Sequence, residues 1–279
     1  MESADSAGTL HELVSSRMND IRREQELLPL ISSPEPLGPT CRLLEDVTGN
    51  PVLTSKILEL VSIATRTNET EKKFSSIRYI RRDGSCFYRA AMFALLSRMI
   101  PSEAVTSSQA STSRAMFLSR LCDWQDLLVK TFSDYVEDFI APVKQLVEDM
   151  ECARIVSGGD LLTRVTDPSI SEYLVFFFRY VVSLYIRTHD DIYAPYAAAM
   201  EYASVAAYCS GEIEVAGKES DDIVISAFAG MFGVRVVVEV VDAQPGIGVV
   251  ETVFNPMDGS ECWTTIYVLF LPGHYNLLE

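Results

Sequence analysis

The sequence predicts a mixed α/β (α+β) protein in which helices come first and strands follow around a central sheet. Three observations carry this. From residue 52 to residue 232 the apolar residues recur mostly at helical spacing. The last third changes character, to β-branched runs punctuated by Gly, Pro, Asn and Asp. The 279 residues, 48% of them hydrophobic, are ample for one large core, or one core with a small appendage.

The elements follow in order. Residues 8–29 read as an amphipathic helix with Leu10, Leu13, Val14, Met18 and Ile21 on one stripe. The stretch SSPEPLGPT at 32–40 cannot continue it, and residues 52–66 are helical again. Residues 1–75 are therefore assigned to an N-terminal helical extension and 76–279 to the main domain. A turn at Arg82-Asp83-Gly84-Ser85 precedes an apolar run from Cys86 to Met99, and the polar stretch Ser107 to Ser113 reads as a surface loop. Leu127, Leu128, Phe132, Val136, Phe139, Val143, Leu146 and Val147 repeat helically, with Pro142 expected to kink or divide them. A buried helix at 170–187 is expected to open on a capping box, Ser169 with Glu172. Asp221 and Asp222 start a helix that Gly233 ends. Strands are expected over 234–241, near 248–254 and over 264–271, the last stopped by Pro272-Gly273.

Charge narrows the partners. With 23 basic and 39 acidic side chains the formal net charge is -16, which repels phosphate backbones and anionic lipid. Nucleic acid and membrane are accordingly not expected as partners, and a basic protein or peptide fits the field better. Six scattered cysteines without a CxxC pair, and no signal-peptide pattern at the start, point to free thiols and a cytoplasmic (or also nuclear) location. Tyr173 to Ile186 is strongly apolar, but it is short for a bilayer and carries Arg179, so it reads as a core helix. No HExxH, GxSxG, Walker A or clustered Cys/His zinc motif is present, so the chemistries those motifs carry, zinc sites among them, have little support.

Cys86 follows a Gly-containing turn and opens a helix, where unpaired N–H groups and the helix dipole favour a thiolate. Those N–H groups, with the ones of the 83–85 turn, suit an oxyanion. A cysteine after a turn is by itself more often a small buried hydrophobe. The other cysteines lack this setting, and Cys122 and Cys262, near tryptophans, read as packing residues. Of the three histidines, His11 lies in the extension, His189 past the end of the buried helix, and His274 at a strand end beside a turn. In an extended chain Asn276 projects to the same side as His274, where it could accept the imidazole Nδ1–H and set the tautomer. A turn residue near the terminus is the plainer reading of Asn276. If the three act together, a neutral Asn suffices, because the Cys–His pair can rest as thiolate and imidazolium.

Four blocks, RRDGSCFYRA at 81–90, SEYLVFFFRYVVSLYIRT at 171–188, GKESDDIVISAFAGMFGVRVVVEV at 217–240 and LPGHYN at 271–276, resemble the otubains in content and order. These are ubiquitin-specific cysteine peptidases of the ovarian-tumour (OTU) superfamily. The resemblance implies a papain-like OTU fold with a mostly antiparallel sheet flanked by helices, a catalytic domain over 76–279, and cleavage of isopeptide bonds in ubiquitin chains without a cofactor. It implies Cys86 as nucleophile, His274 as base and Asn276 as its orienting residue, with Asp83 in the loop that shapes the oxyanion hole. Ubiquitin and polyubiquitin are the implied partners, with a ubiquitin-conjugating enzyme as a further one, and the extension is implied to help bind either a second ubiquitin or that enzyme. Three positions depart from the family pattern: Ser85 replaces Asn, Asn276 stands where many members have Asp, and Asp222 stands where histidine is expected. The alternative is an otubain-like domain that binds ubiquitin or a conjugating enzyme and cleaves slowly or not at all.

Overall fold

The protein is seen here as a computed structural model, which describes residues 27–65, 73–103, 105–257, 259 and 261–279. The helix read over 8–29 lies outside them apart from residues 27–29, which are not helical. The strands are β1 (Glu35–Pro36), β2 (Ser76–Arg78), β3 (Arg235–Val240), β4 (Val250–Phe254), β5 (Thr265–Leu271) and β6 (His274–Leu278). They form one sheet in the order β1-β2-β6-β5-β3-β4. Only the β3–β5 pair is parallel, so the sheet is mostly antiparallel, as expected.

Two short helices, α1 (Arg42–Asp46) and α2 (Pro51–Ala64), cover one face. The other face carries most of the helical mass: α3 (Cys86–Ser97), α4 (Ser107–Phe132), α5 (Glu137–Glu151) and α6 (Gly158–Val165). After these come α7 (Ser171–Thr188), α8 (Asp190–Ala199), α9 (Val205–Tyr208) and α10 (Asp222–Phe232). Strand alternation sorts the two cores. Along β5, Ile266 and Val268 pack with the α3 side, whereas Leu269 and Leu271 pack with Leu43, Ile57 and Leu60 of α1 and α2. Residues 35–64, read from sequence as part of an extension, thus supply a sheet edge and one of the two cores. All five residues of β6 are buried because the sheet is covered on both faces.

Three expectations are corrected. Ser107 to Ser113 is the first part of α4, not a loop. Thr106 Oγ1 accepts the Gln109 N–H at 3.3 Å, the Gln109 side chain accepts the Thr106 N–H at 2.9 Å, and Ala110, Ser113 and Phe117 start a buried stripe. The break in the following helices falls at Ser133, whose φ of 73° ends α4, and Pro142 sits inside α5. The bond that Pro142 forgoes would end on the carbonyl of Asp138, an exposed residue in the first turn, where the loss costs less than it would in a buried helix interior. The start of α7 has no side-chain cap: Ser169 Oγ donates to Asp167, and Glu172 pairs instead with Arg89 of α3.

The expected end of α10 does form. Asp221 Oδ1 accepts the Val224 N–H at 3.0 Å and Gly233 closes the helix at φ 64°. The chain then enters β3, while α7 fills the core with Leu174, Phe177, Phe178 and Val181. Among the described residues no helix is long and apolar enough to cross a membrane.

Candidate active site

Cys86 is the first residue of α3, packed between that helix and the sheet, and its side chain is 3% exposed. The turn before it is cross-tied. Asp83 Oδ1 accepts the Ser85 N–H at 2.9 Å, and Asp83 Oδ2 accepts Arg89 Nε at 2.8 Å. Arg89 is itself buried one helical turn into α3, and its other arm reaches Glu172. Gly84 has φ 73°, and a Cβ there would lie 2.1 Å from the Gly217 carbonyl oxygen, so only glycine fits the turn. The Asp83 N–H is spent on Arg81 O, and that of Ser85 on Asp83. Of the turn donors named from sequence, the Gly84 and Cys86 amides are left, among the described residues, to face an oxyanion.

His274 begins β6 directly after a two-residue turn, Pro272-Gly273, in which Gly273 takes φ 70°. His274 and Asn276 alternate onto one face of the strand, as the extended-chain argument requires. The expected contact uses the other ring nitrogen, however. His274 Nε2 lies 3.1 Å from Asn276 Oδ1, which also accepts the Ile80 N–H at 3.0 Å. Positions i and i+2 of a strand are about 6.6 Å apart, a span that the distal Nε2 bridges better than Nδ1. Because Oδ1 can only accept, Nε2 carries the proton and Nδ1 keeps a free lone pair. That Nδ1 is buried and, among the described residues, has no hydrogen-bond partner. The residue between, Tyr275, donates its backbone N–H to Cys86 Sγ at 3.4 Å. One strand thus touches the sulfur and holds the base.

Burial decides the charge state. It pushes the Cys86 thiol up to about 11, against the pull of the Tyr275 amide and with the Asp83 and Glu219 charges adding. It holds the His274 imidazole down to about 4, with the Arg82 guanidinium adding to the effect. Both shifts run toward the neutral thiol and the neutral imidazole, against the ion pair expected from sequence.

Beside His274 lies a cleft of about 450 Å³ lined by Arg42, Tyr79, Arg82, Leu271 and Asn276. Sequence reasoning passed over two of the residues that shape the site, Arg89 and Arg179. Each is an arginine inside an apolar run, and each is almost fully buried. Cys122, read as packing beside Trp124, is exposed, because a residue two positions away on a helix points elsewhere. Cys262 is half-buried. His189 stacks its ring on Tyr185 and bonds that residue's carbonyl through Nδ1 at 2.8 Å, at the end of α7.

The chain is similar to known proteins in sequence and in fold. The family model described as Peptidase C65 Otubain matches residues 23–279. The ubiquitin thioesterase otubain-like protein of Caenorhabditis elegans is 28% identical, covering 99% of this chain and 91% of that one. Ubiquitin thioesterase OTUB1 of Homo sapiens is 33% identical, covering 76% of this chain and 73% of its own length. Among solved structures, a ceOTUB1 ubiquitin aldehyde UBC13~Ub complex superposes with a TM-score of 0.76 at 26% identity, covering 94% of this chain and 98% of that one.

Proposed function

The chain belongs to the otubain family of cysteine peptidases, and on that premise we propose that it hydrolyses isopeptide bonds in ubiquitin chains, with Cys86 as nucleophile, His274 as general base and Asn276 as the residue that orients it. One observation carries the assignment of roles. The unpartnered Nδ1 of His274, its lone pair set free by the Nε2–Asn276 bond, sits on the same strand whose Tyr275 amide touches Cys86 Sγ.

The chemistry follows from these positions. Nδ1 takes the thiol proton as sulfur attacks the carbonyl of the isopeptide bond, and the Gly84 and Cys86 amides stabilise the developing oxyanion. His274 then returns the proton to the departing lysine amine, and a water activated by the same nitrogen releases the ubiquitin carboxylate. Asp83 acts at one remove, holding the turn through Ser85 and Arg89. As burial favours the neutral form of both groups, proton transfer from thiol to imidazole accompanies the attack of sulfur. By likeness to the OTUB1 complex, ubiquitin and a ubiquitin-conjugating enzyme are its partners.

Ubiquitin bearing a C-terminal electrophile tests the reading. We expect one adduct, on Cys86, and none with Cys86→Ala, which should still bind ubiquitin. Labelling of Cys122, Cys209 or Cys262 instead would overturn the assignment. Burial of the pair favours the second reading, a domain that binds ubiquitin and cleaves slowly or not at all; Cys86-dependent turnover of di-ubiquitin at about 1 s⁻¹ or faster rejects it.

A further inference from the structure

Arg179 lies in the middle of α7 and is 1% exposed. Its four acceptors are three backbone carbonyls and a hydroxyl, with no carboxylate among them. One terminal nitrogen donates to Ile213 O at 3.0 Å. The other reaches Gly84 O at 2.9 Å, Lys218 O at 2.8 Å and Ser85 Oγ at 3.2 Å. The guanidinium also lies over the Tyr88 ring, 4.5 Å from its centroid. Burying a cation without a carboxylate is costly, and a methionine would fill the same space. What the guanidinium adds is a fixed fork that holds two segments distant in sequence, the nucleophile turn and residues 213–218.

We propose that Arg179 is a positioning residue for the reaction, locking the peptide between Gly84 and Ser85 so that the Gly84 and Cys86 amides stay aimed at the oxyanion. The proposal rests on the reading of Cys86 as nucleophile. A peptide unit is planar, so pinning the Gly84 carbonyl also orients the Ser85 N–H. That N–H is held at its own end by Asp83, which Arg89 grips. The 84–85 peptide is thus fixed at both ends, and it lies between the two amides left for the oxyanion. The lock is needed because Gly84, at φ 73°, has a conformational freedom that other residues lack. A flip of this peptide would turn a carbonyl lone pair where a donor stood. The close Gly84–Gly217 contact presses the same turn against the segment that Arg179 holds through Ile213 and Lys218.

The full-length Arg179→Lys variant tests this, through two rates measured on one sample. Lysine keeps the charge but cannot span both segments. The first rate is hydrolysis of a fluorogenic amide at the ubiquitin C-terminus. The second is alkylation of Cys86 by iodoacetamide, a displacement at carbon that forms no oxyanion. We expect kcat for hydrolysis to fall by about 10²-fold, the scale of losing one oxyanion donor, while KM and the alkylation rate hold. Hydrolysis at the wild-type rate, or an equal fall in both rates, overturns the proposal. A wild-type chain that neither hydrolyses the amide nor is alkylated at Cys86 overturns the nucleophile assignment, and this proposal with it. Should Arg179→Lys fail to fold, Ser85→Ala carries the same comparison without touching the buried charge. It should slow hydrolysis about fivefold, the worth of one hydrogen bond, with alkylation unchanged, and equal hydrolysis in variant and wild type counts against the lock.

Discussion

Around Cys86 three charged side chains fix the backbone turn, whereas the His274 imidazole has only Asn276 and the Ile80 backbone as hydrogen-bond partners among the described residues. Asp83, Arg89 and Arg179 fix the turn before the nucleophile through bonds to side chain and backbone. On the base side Asn276 bonds Nε2 and the Ile80 backbone adds a contact to the imidazole, while Nδ1 is buried without a hydrogen-bond partner among the described residues. The difference shows which half of the chemistry is prepared in advance. Donors aimed at an oxyanion help most when they need no reorganisation at the moment of reaction, so rigidity belongs there. A proton acceptor must change charge during the cycle, and burial holds it neutral until a substrate alters its surroundings.

Removing the base is the largest expected break. His274→Ala should lower the rate by about 10²–10⁴-fold and leave ubiquitin binding intact. The same variant changes the acid limb of stability. His274 is depressed from 6.5 to about 4 in the folded chain, so its contribution is complete above pH 6.5 and is lost as pH falls through about 4. Acid unfolding followed by circular dichroism should therefore be shallower in His274→Ala than in wild type. A steeper acid limb in the variant would show that burial does not hold the imidazole neutral.

The rigidity of the nucleophile side is tested by two glycines of similar φ. Gly84 and Gly217 have φ 73° and 76°, so alanine is conformationally strained at each, by about 1–2 kcal/mol. Only at Gly84 does the new Cβ meet backbone, 2.1 Å from Gly217 O; at Gly217 the nearest atom is 3.8 Å away. Gly84→Ala should lose both activity and melting temperature, and Gly217→Ala should show the smaller strain alone. Equal losses would mean that the contact between the two segments is not what sets the turn.

The smallest effect is expected at Asn276. Asn276→Ala strips an acceptor from the buried Ile80 N–H, a stability cost of about 1–3 kcal/mol. It also frees the imidazole tautomer, so the rate should fall, but less than in His274→Ala. Asn276→Asp keeps both hydrogen bonds and places a carboxylate beside the ring, raising the imidazole pKa. It should be tolerated, with the acid limb of the pH–rate profile displaced upward. A larger rate loss in Asn276→Ala than in His274→Ala would reverse the roles given to the two residues.

The sequence alone located the turn before Cys86, the turn before His274 and the Asp221–Gly233 helix, because each depends on local chemistry, a glycine in a turn or a cap; it missed β6, the strand that carries His274 and Asn276. It misread Ser107 to Ser113, where a serine-rich surface hides a capping box, and Pro142, whose exposed surroundings let a helix run through it. The reach of Nε2 instead of Nδ1 depends on strand geometry, and the neutral state of Cys86 and His274 on how completely the sheet is covered on both faces. Arg179 shows the division most clearly. In the sequence it is a charge that spoils an apolar run. In the folded chain it joins residues 84–85 to residues 213–218, and only packing can bring together acceptors so far apart along the backbone. Local residue chemistry fixed the reacting groups; their charge state and the lock on the turn come from burial and long-range contact, which no short stretch of sequence contains.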